Sequence, residues 1–446
     1  MEATPNGADL NFLLISARPP EPRLVHSRAR TLPYTASFSM GMTWYHMVAA
    51  WLLAWVALVI VSQRSWAVSW LALGLMAAHI GDWAMKAAMN AMPRKNIDGN
   101  GKAVLITGCD SGFGRLLAIS LDKLGFKVYA GCLQPDGTGA TSLKLETSSK
   151  LTVVSLDVTK EDEVRAAYKF IEDDLGSLDL WAVVNNAGIA AFTEIEWCPI
   201  AEYRRVYEVN SLGPIRVTKT FLPLLRKSSG RIVLVASLAG RYTFPGFTAY
   251  SMSKHATVSF ADGLRLEMQK WGITVHTVEP TLYRTPISQE GPIHRALDRF
   301  WEECPEDVRN SYGDEYMKDF KTTISAHLNR AKPSEKIKEV VDDMVDAVAG
   351  QDPKSRYVPS VVTQVRAKVL SALPDKVRDH LFLSSQPQTP PAYVAERKKK
   401  RLLMDPRPRP GVQGPQGARI KRMFSMPNWD KKDMTPSPKS ETKFKF

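Results

Sequence analysis

From Lys102 onward, short apolar segments alternate with longer amphipathic ones, and this alternation constrains the fold more than any other feature. We expect strands at Ala103–Gly108, Lys127–Cys132, Leu151–Asp157, Leu180–Asn185, Arg231–Ser237 and Ile273–Val278. Between them we expect helices at Phe113–Leu124, Glu161–Leu175, Glu202–Leu225 and Ala249–Lys270. Apolar strands that alternate with amphipathic helices form a parallel sheet covered on both faces. The sequence therefore predicts an α/β fold with a doubly wound parallel sheet.

Two uncharged runs before this region predict a membrane anchor. The run from Trp44 to Ser62 would be about 28 Å long as a helix, close to the thickness of the bilayer hydrocarbon. The run from Ser65 to Gly81 would reach about 25 Å. We expect one or two transmembrane helices within residues 43–86, after a disordered leader at residues 1–42. A mitochondrial presequence is the alternative for the leader, and its acidic residues count against it.

Most of the positive charge lies at the C-terminal end. From Ala392 onward the chain has 15 Lys and Arg and 5 Asp and Glu, so this end carries +10 of the net charge of +13. The near-neutral remainder argues against a nucleic-acid-binding face on the folded body. We expect a disordered basic tail at residues 386–446. Its run Arg397–Arg401 is interpreted as a solvated segment, a contact with anionic lipid or a nuclear address.

Cysteine usage indicates no metal site. The four cysteines form no CxxC pair and do not cluster with histidine. Neither a metal centre nor a disulfide framework is expected, and a reducing compartment fits best.

A glycine-rich segment at the end of the first strand predicts a dinucleotide site. The sequence Thr107-Gly108-Cys109-Asp110-Ser111-Gly112-Phe113-Gly114 runs from that strand into the first helix. Gly108 would allow the tight turn, Gly112 the approach of backbone to a pyrophosphate, and Gly114 the packing of helix on strand. The helix N-terminus would present its free N–H groups to the anion.

Two further segments indicate acid–base chemistry beside that site. Asn185-Asn186-Ala187-Gly188 ends the fourth strand, where a doubly wound sheet opens its ligand crevice, and its amides can tie neighbouring strands together. Tyr250 and Lys254 are four residues apart on one helix, so they share a face. A nearby ammonium favours the phenolate, and Ser237 can orient the reacting oxygen.

The chain resembles the short-chain dehydrogenase/reductase family over residues 100–385. The resemblance rests on the order of the glycine-rich loop, Asn185–Gly188, Asn210, Ser237, Tyr250 and Lys254. The resemblance implies a Rossmann-type fold that follows the N-terminal transmembrane segment. It implies Tyr250 as the catalytic acid/base, with Lys254 bonding the nicotinamide ribose and lowering the Tyr250 pKa. It also implies Ser237 as the substrate orienter and Asn210 as the holder of a proton-relay water. The cofactor contacts that it implies are Gly108, Asp110, Ser111, Gly112, Phe113, Gly114, Asp157, Val158, Asn185, Ala187, Gly188, Tyr250, Lys254, Pro280 and Thr285.

Within that family the loop is similar to the branch that holds retinol, D-beta-hydroxybutyrate and type-2 17-beta-hydroxysteroid dehydrogenases. The stretches Val217–Lys227, Lys270–Ile273 and Met426–Asn428, with the paired apolar runs, look most like the last of these. One departure concerns the end of the sixth strand, where the family has Pro-Gly and this chain has Pro280-Thr281. That glycine helps the backbone pass the nicotinamide, so the departure bears on the cofactor geometry.

The expected cofactor is NAD. Neither the glycine-rich loop nor Gly131–Asp136 offers a cation for a ribose 2′-phosphate, and the acidic Asp110 would repel one. The segment between Ser237 and Tyr250 is rich in aromatic residues, and Ile287–Lys332 is long enough to form a lid over it. The expected substrate is therefore a lipophilic secondary alcohol or ketone of steroid or retinoid type.

Two other functions stay open. The first is a D-beta-hydroxybutyrate-type dehydrogenase, which would need a cation for its small anionic substrate, and Arg241 is the candidate. The second is a non-catalytic, membrane-tethered scaffold that binds the nucleotide without turnover. The expected location is the endoplasmic reticulum membrane, with a mitochondrial membrane as the alternative. The resemblance also implies a homodimer.

Overall fold

The computed structural model describes residues 95–404 throughout and, before them, only scattered helical positions between Leu53 and Gly81. Among these described residues, no helix is both long enough and apolar enough to cross a membrane. The predicted leader, most of the predicted anchor and the predicted tail beyond Met404 lie outside the described residues.

Seven parallel strands form a single sheet within residues 95–404. The strands are β1 (Lys102–Thr107), β2 (Lys127–Cys132), β3 (Leu151–Ser155), β4 (Asp179–Asn185), β5 (Arg231–Val235), β6 (Thr274–Val278) and β7 (Arg356–Tyr357). Their order is β3-β2-β1-β4-β5-β6-β7. Because the order reverses between β1 and β4, the loops leaving these two strands diverge and open a crevice at their carboxyl ends. The predicted doubly wound parallel sheet is confirmed.

Helices cover both faces of the sheet. They are α1 (Gly112–Lys123), α2 (Thr138–Glu146), α3 (Glu161–Asp174), α4 (Ile200–Tyr207), α5 (Gly213–Ser228), α6 (Thr248–Met268), α7 (Glu290–Glu303), α8 (Glu306–Tyr312), α9 (Asp314–Asn329), α10 (Ile337–Ala349), α11 (Val361–Ala372), α12 (Asp375–Leu383) and α13 (Ala392–Met404). Alternate strand residues serve opposite faces, as a period of two requires. Val104 and Ile106 pack with α1, α2 and α10, whereas Ala103 and Leu105 pack with α3, α5 and α6.

Several elements differ from the sequence-based expectation. Helix α2 and the two-residue strand β7 were not predicted, because neither has a clear apolar periodicity. The single helix expected over Glu202–Leu225 is interrupted by a π-helical turn at Glu208–Leu212. Such turns insert one residue into the helical repeat and often lie at functional sites.

Part of the segment predicted as a C-terminal tail is helical. Residues Ala392–Met404 form helix α13, although disorder was expected from residue 386. The helix contains neither Gly nor Pro and packs against α8. The chain before it is held in place, because the Asp319 carboxylate accepts hydrogen bonds from the backbone N–H groups of Gln388 (2.8 Å) and Thr389 (2.7 Å).

Candidate active site

The glycine-rich loop turns tightly between β1 and α1. Gly108 has a φ of +71°, and a Cβ placed on it would lie 2.9 Å from the Cα of Ala187. A Cβ on Gly114 would lie 2.4 Å from the carbonyl oxygen of Gly108, so helix and loop pack without room for a side chain. Gly112 has a φ of +60° and open space around it, and Ser111 before it is exposed. The start of α1 therefore offers accessible backbone to an anion.

Hydrogen bonds tie this loop to the end of β4. The Asn186 side-chain amide donates to the carbonyl oxygens of Thr107 (2.9 Å) and Gly108 (3.0 Å). In return, the Thr107 hydroxyl oxygen accepts from the backbone N–H groups of Asn186 and Ala187, both at 3.0 Å. The predicted tie between strands is thus observed. Asn186 makes it, although sequence reasoning listed only its neighbours as site residues.

Asn185 points away from that tie, to the other side of β4. Its amide nitrogen donates to the Thr218 hydroxyl on α5 at 3.0 Å, and its Oδ1 is buried without a partner in the described structure. The residue thereby fixes β4 against α5. Nothing in its contacts brings it to the crevice side of the loop.

Asn210 lies in the π-helical turn and is fully buried. Its side-chain nitrogen donates to the carbonyl oxygen of Ile189 (2.8 Å) and the Ser253 hydroxyl (2.9 Å), and its Oδ1 accepts from the Ile189 N–H (2.9 Å). A Cβ placed on Gly188 would lie 3.3 Å from Asn210 Oδ1 and 3.5 Å from Lys254 Nζ. Asn210 therefore joins the end of β4 to α6, and its role in holding a water stays a prediction.

Tyr250, Lys254 and Ser237 come together beside the crevice, as the spacing predicted. Lys254 Nζ lies 5.7 Å from the centroid of the Tyr250 ring and donates to the carbonyl oxygen of Val235 at 2.9 Å. Ser237 follows β5, and its hydroxyl contacts that of Tyr250 through a hydrogen bond. The Ser237 oxygen also accepts from the Ala239 N–H (3.1 Å), which fixes the side chain.

Burial moves the two titratable groups of the site in opposite directions. It raises the pKa of Tyr250 to about 12, and the hydrogen bond with Ser237 opposes part of that rise. It lowers the pKa of Lys254 to about 8. In each case, loss of water disfavours the charged form. The expected lowering of the Tyr250 pKa therefore has to overcome desolvation first.

The carboxylate of Asp110 lies at the carboxyl end of β2. It accepts hydrogen bonds from the backbone N–H groups of Leu133 (3.0 Å) and Gln134 (2.9 Å). Rossmann folds usually have an acidic residue at the end of this strand, where this chain has Gly131 and Cys132. Asp110 supplies a negative charge at that place from the neighbouring loop.

Sequence reasoning missed one cation in this region. Arg115 directly follows Gly114, and its guanidinium donates to the Ser142 hydroxyl (3.1 Å) and pairs with Glu146 on α2 (2.7 Å). Its position immediately after the glycine-rich motif was the available signal. Its partner on α2 could not be foreseen, because that helix was not predicted.

Asp157 and Val158 follow β3. The Asp157 Oδ1 accepts from the backbone N–H (2.9 Å) and the hydroxyl (2.7 Å) of Thr159, so the carboxylate is fixed by its own turn. Val158 is buried against Gly213, where an added Cβ would lie 2.8 Å from its Cγ2.

Pro280 and Thr285 follow β6. The Pro280 carbonyl oxygen accepts from the Leu238 N–H (3.1 Å) and lies 3.3 Å from the Ser237 hydroxyl that donates to it. Thr281, which replaces the family glycine, is not among the described residues with positive φ, so this backbone does not require glycine. The N–H of Thr285 donates to the Ser288 hydroxyl at 3.0 Å. Phe113 packs edge-to-face on Tyr283 of the same segment, with ring centroids 5.9 Å apart.

Aromatic side chains pack around the segment between Ser237 and Tyr250. Phe247, three residues before Tyr250, packs edge-to-face on Phe192 with centroids 4.8 Å apart. Phe244 packs against Phe382 of α12 in a tilted arrangement, with ring centroids 4.6 Å apart. The segment predicted as a lid forms α7, α8 and α9, whose core surrounds Trp197 and includes Phe320. The segment between Ser237 and Tyr250 is therefore bounded by apolar clusters.

Arg241, the candidate cation for a small anionic substrate, is already paired. Its guanidinium donates to both carboxylate oxygens of the buried Glu279, at 2.9 and 2.6 Å. Arg356 of β7 contacts the same carboxylate at 3.1 Å. A second anion would have to displace a buried carboxylate from both guanidinium groups.

Comparison with known proteins gives one family. A family profile described as short chain dehydrogenase matches residues 102–295. The 17-beta-hydroxysteroid dehydrogenase type 6 of Rattus norvegicus is 39% identical over 287 residues, which cover 64% of this chain and 89% of that relative. Estradiol 17-beta-dehydrogenase 2 of Mus musculus is 36% identical, covering 63% and 74%. The mitochondrial D-beta-hydroxybutyrate dehydrogenase of Rattus norvegicus is 35% identical, covering 64% and 84%.

A solved structure shares the fold. It is a short chain dehydrogenase/reductase from Burkholderia phymatum, crystallised in complex with NAD. The TM-score is 0.51 at 20% identity, over 66% of this chain and 99% of that one.

The tie between β1 and β4 is testable through Asn186→Ala. This change removes both donors to the carbonyl oxygens of Thr107 and Gly108 and leaves those groups without that partner. We expect the free energy of unfolding to fall by about 1–3 kcal/mol and NAD affinity to fall about tenfold. Thermal unfolding and calorimetric titration measure the two effects. Asn310→Ala, at an exposed position of α8, is the control and should change neither; equal behaviour of the two variants would contradict the assignment.

Proposed function

This chain belongs to the short-chain dehydrogenase/reductase family, and we propose that it is a membrane-anchored enzyme that oxidises a lipophilic secondary alcohol with NAD. The observation that carries the proposal is the meeting of Tyr250, Lys254 and Ser237 at the end of the nucleotide crevice, beside an apolar wall. The scaffold alternative is disfavoured, because each side chain that the chemistry needs is present and they are brought together.

Tyr250 acts as the general base in the oxidation. Its phenolate oxygen takes the proton from the substrate hydroxyl, while the Ser237 hydroxyl hydrogen-bonds the same substrate oxygen and orients it. NAD, when bound, supplies the ring carbon that accepts the hydride from the substrate carbon. In the reverse direction, the Tyr250 hydroxyl returns the proton to the carbonyl oxygen.

Lys254 makes the phenolate accessible near neutral pH. Its pKa of about 8 leaves the amine mostly protonated at pH 7, so a positive charge faces the Tyr250 ring. That charge favours the phenolate and opposes the effect of burial. The hydrogen bond from the Lys254 ammonium to the Val235 carbonyl uses one of its three N–H groups. The other two are available for a ribose hydroxyl and the Tyr250 oxygen.

The family resemblance assigns the remaining cofactor contacts, and the loop geometry supports them. We assign the pyrophosphate to the backbone N–H groups of Ser111–Gly114, where positive φ and open space at Gly112 expose the chain. Asp157 with Val158 would contact the adenine, and Thr285 with Pro280 the carboxamide. Ala187 and Gly188 would leave room for the dinucleotide at the end of β4.

The substrate is proposed to be apolar, of steroid or retinoid type. Phe192, Phe244 and Phe247 form the wall that precedes Tyr250, and Arg241, the candidate cation for a carboxylate there, is paired. Two of the similar proteins are named 17-beta-hydroxysteroid dehydrogenase type 6 and estradiol 17-beta-dehydrogenase 2, which supports the same class. The uncharged runs within residues 44–81 support an anchor in the endoplasmic reticulum membrane, where such substrates partition.

We further propose that NAD is preferred over NADP. The Asp110 carboxylate occupies the two backbone N–H groups that follow β2, and its charge would repel a 2′-phosphate. Arg115, the cation that could attract this phosphate, is neutralised by Glu146. Both features act on the same end of the dinucleotide.

The activity is tested with the full chain in microsomes, with NAD and a panel of steroid, retinoid and hydroxy-acid alcohols. We expect reduced cofactor to form only with the lipophilic alcohols. Tyr250→Phe should lower kcat by at least about 100-fold, since the base is lost, while NAD affinity stays within about twofold. Turnover of 3-hydroxybutyrate alone would overturn the substrate class, and unchanged turnover in Tyr250→Phe would overturn the mechanism.

The role of Lys254 is tested by the pH profile. Below the pKa of Tyr250, kcat/KM for oxidation should rise about tenfold per pH unit, because the phenolate is the reactive form. In Lys254→Met this rise should move to higher pH, because the ammonium that favours the phenolate is lost. Lys254→Arg keeps a cation and should move the profile less. Superimposable profiles for wild type and Lys254→Met would contradict the role.

The cofactor preference is tested by Glu146→Gln. Releasing Arg115 should raise kcat/KM for NADP about tenfold and leave that for NAD nearly unchanged. Glu161→Gln is the matched control, because it breaks another exposed Glu–Arg pair, with Arg165 on α3. If the two variants have the same NADP activity, Glu146 does not mask Arg115.

A further inference from the structure

Helix α11 carries apolar side chains on two opposite faces. One face is buried, with Ala367 and Leu370 packed in a cluster that also holds Tyr242 and Phe382. The other is exposed, and we call it the valine face: Val361 (70% exposed), Val362 (77%), Val365 (55%) and Val369 (54%). Burial of the helix in the fold therefore explains two of these six apolar residues.

The valine face has basic borders. At 100° per residue, its four valines fall within about 100° of the helix circumference. Arg366 lies just beyond one edge of this stripe and Lys368 just beyond the other, and both are exposed. The helix contains no acidic residue. An apolar stripe between cations is the pattern of a helix that lies in the interface of an anionic membrane.

The neighbouring helix extends this apolar surface. On α12, Val377, Leu381 and Leu383 are exposed, although Phe382 between them is buried against Tyr242 and Phe244. Water-exposed aliphatic side chains on two consecutive helices are uncommon on a soluble surface without a partner.

We propose that the valine face lies on an anionic lipid surface, with its aliphatic side chains among the acyl chains and Arg366 and Lys368 at the phosphate headgroups. A protein partner would have to match an apolar stripe with cations on both sides, whereas a phospholipid monolayer supplies both chemistries at the right depth. The contact is separate from the N-terminal runs and belongs to the folded domain.

The placement has a consequence that rests on the proposed function. The buried face of α11 and α12 contacts Tyr242 and Phe244, which belong to the segment between Ser237 and Tyr250. A lipid surface on the outer face would therefore be separated from the apolar wall of the site by a single layer of helix. A lipophilic alcohol could then reach that wall from the membrane instead of crossing water.

The test uses the full chain with a fluorophore on Val365→Cys. All four native cysteines are buried, so the introduced thiol is the one that reacts. The protein is reconstituted in phosphatidylcholine–phosphatidylglycerol vesicles that carry nitroxide-labelled lipid. We expect the lipid nitroxide to quench the fluorophore by roughly half or more. Leu145→Cys, at an equally apolar position of α2 that is 83% exposed, is the matched control and should be quenched little.

Charge variants and a lipid-free measurement complete the test. Arg366→Glu with Lys368→Glu should abolish most of the quenching at position 365, and added salt should weaken it in the wild-type background. Equal quenching at positions 365 and 145 would overturn the proposal. So would self-quenching between labelled chains in lipid-free detergent, which would assign the face to a second copy. Turnover of a water-soluble alcohol by the same variants tests the proposed function independently.

Discussion

The site depends on the hydrogen bonds that hold the ends of β1 and β4 together. At this point the strand order reverses and the following loops must diverge, which leaves their backbone groups without sheet partners. The Thr107 hydroxyl and the Asn186 amide satisfy four of these groups across the gap. The crevice therefore opens beside a rigid junction, and both of its walls are fixed by the same two side chains.

The chemistry of the site opposes the stability of the fold. The pKa of Lys254 falls from its usual 10.5 to about 8, so its stabilising contribution is complete above 10.5 and is lost as the pH falls through 8. The pKa of Tyr250 rises from 10.0 to about 12, so its contribution is present below 10 and is lost above 12. At neutral pH the tyrosine favours the folded state and the buried ammonium opposes it. A lysine kept charged in such a place is expected at a functional site.

Local patterns were enough to predict the sheet and the centre of the site, but not the contacts between distant segments. Apolar strands and the Tyr250–Lys254 spacing are local signals, and each lay where expected. Strand β7 is two residues long and is held by pairing with β6 and by the Arg356–Glu279 contact, which no local pattern reveals. No local pattern reveals the π-helical turn at Asn210 either, because that residue is held by hydrogen bonds with Ile189 and Ser253, which are distant in sequence. Helix α13 was missed because its charge suggested disorder, while its packing on α8 is a tertiary contact.

The buried carboxylate of Glu279 explains how the segment between Ser237 and Tyr250 is held in place. Arg241 comes from that segment, Arg356 from β7, and both contact Glu279, the residue directly before Pro280. Removing the Glu279 carboxylate from water is unfavourable unless it is paired, and the two partly exposed guanidinium groups supply that pairing. Here they join the loop after Ser237 to the strand end whose Pro280 carbonyl accepts from Ser237. Because Arg241 is paired with Glu279, it is not free to hold a substrate anion, which agrees with the apolar substrate proposed above.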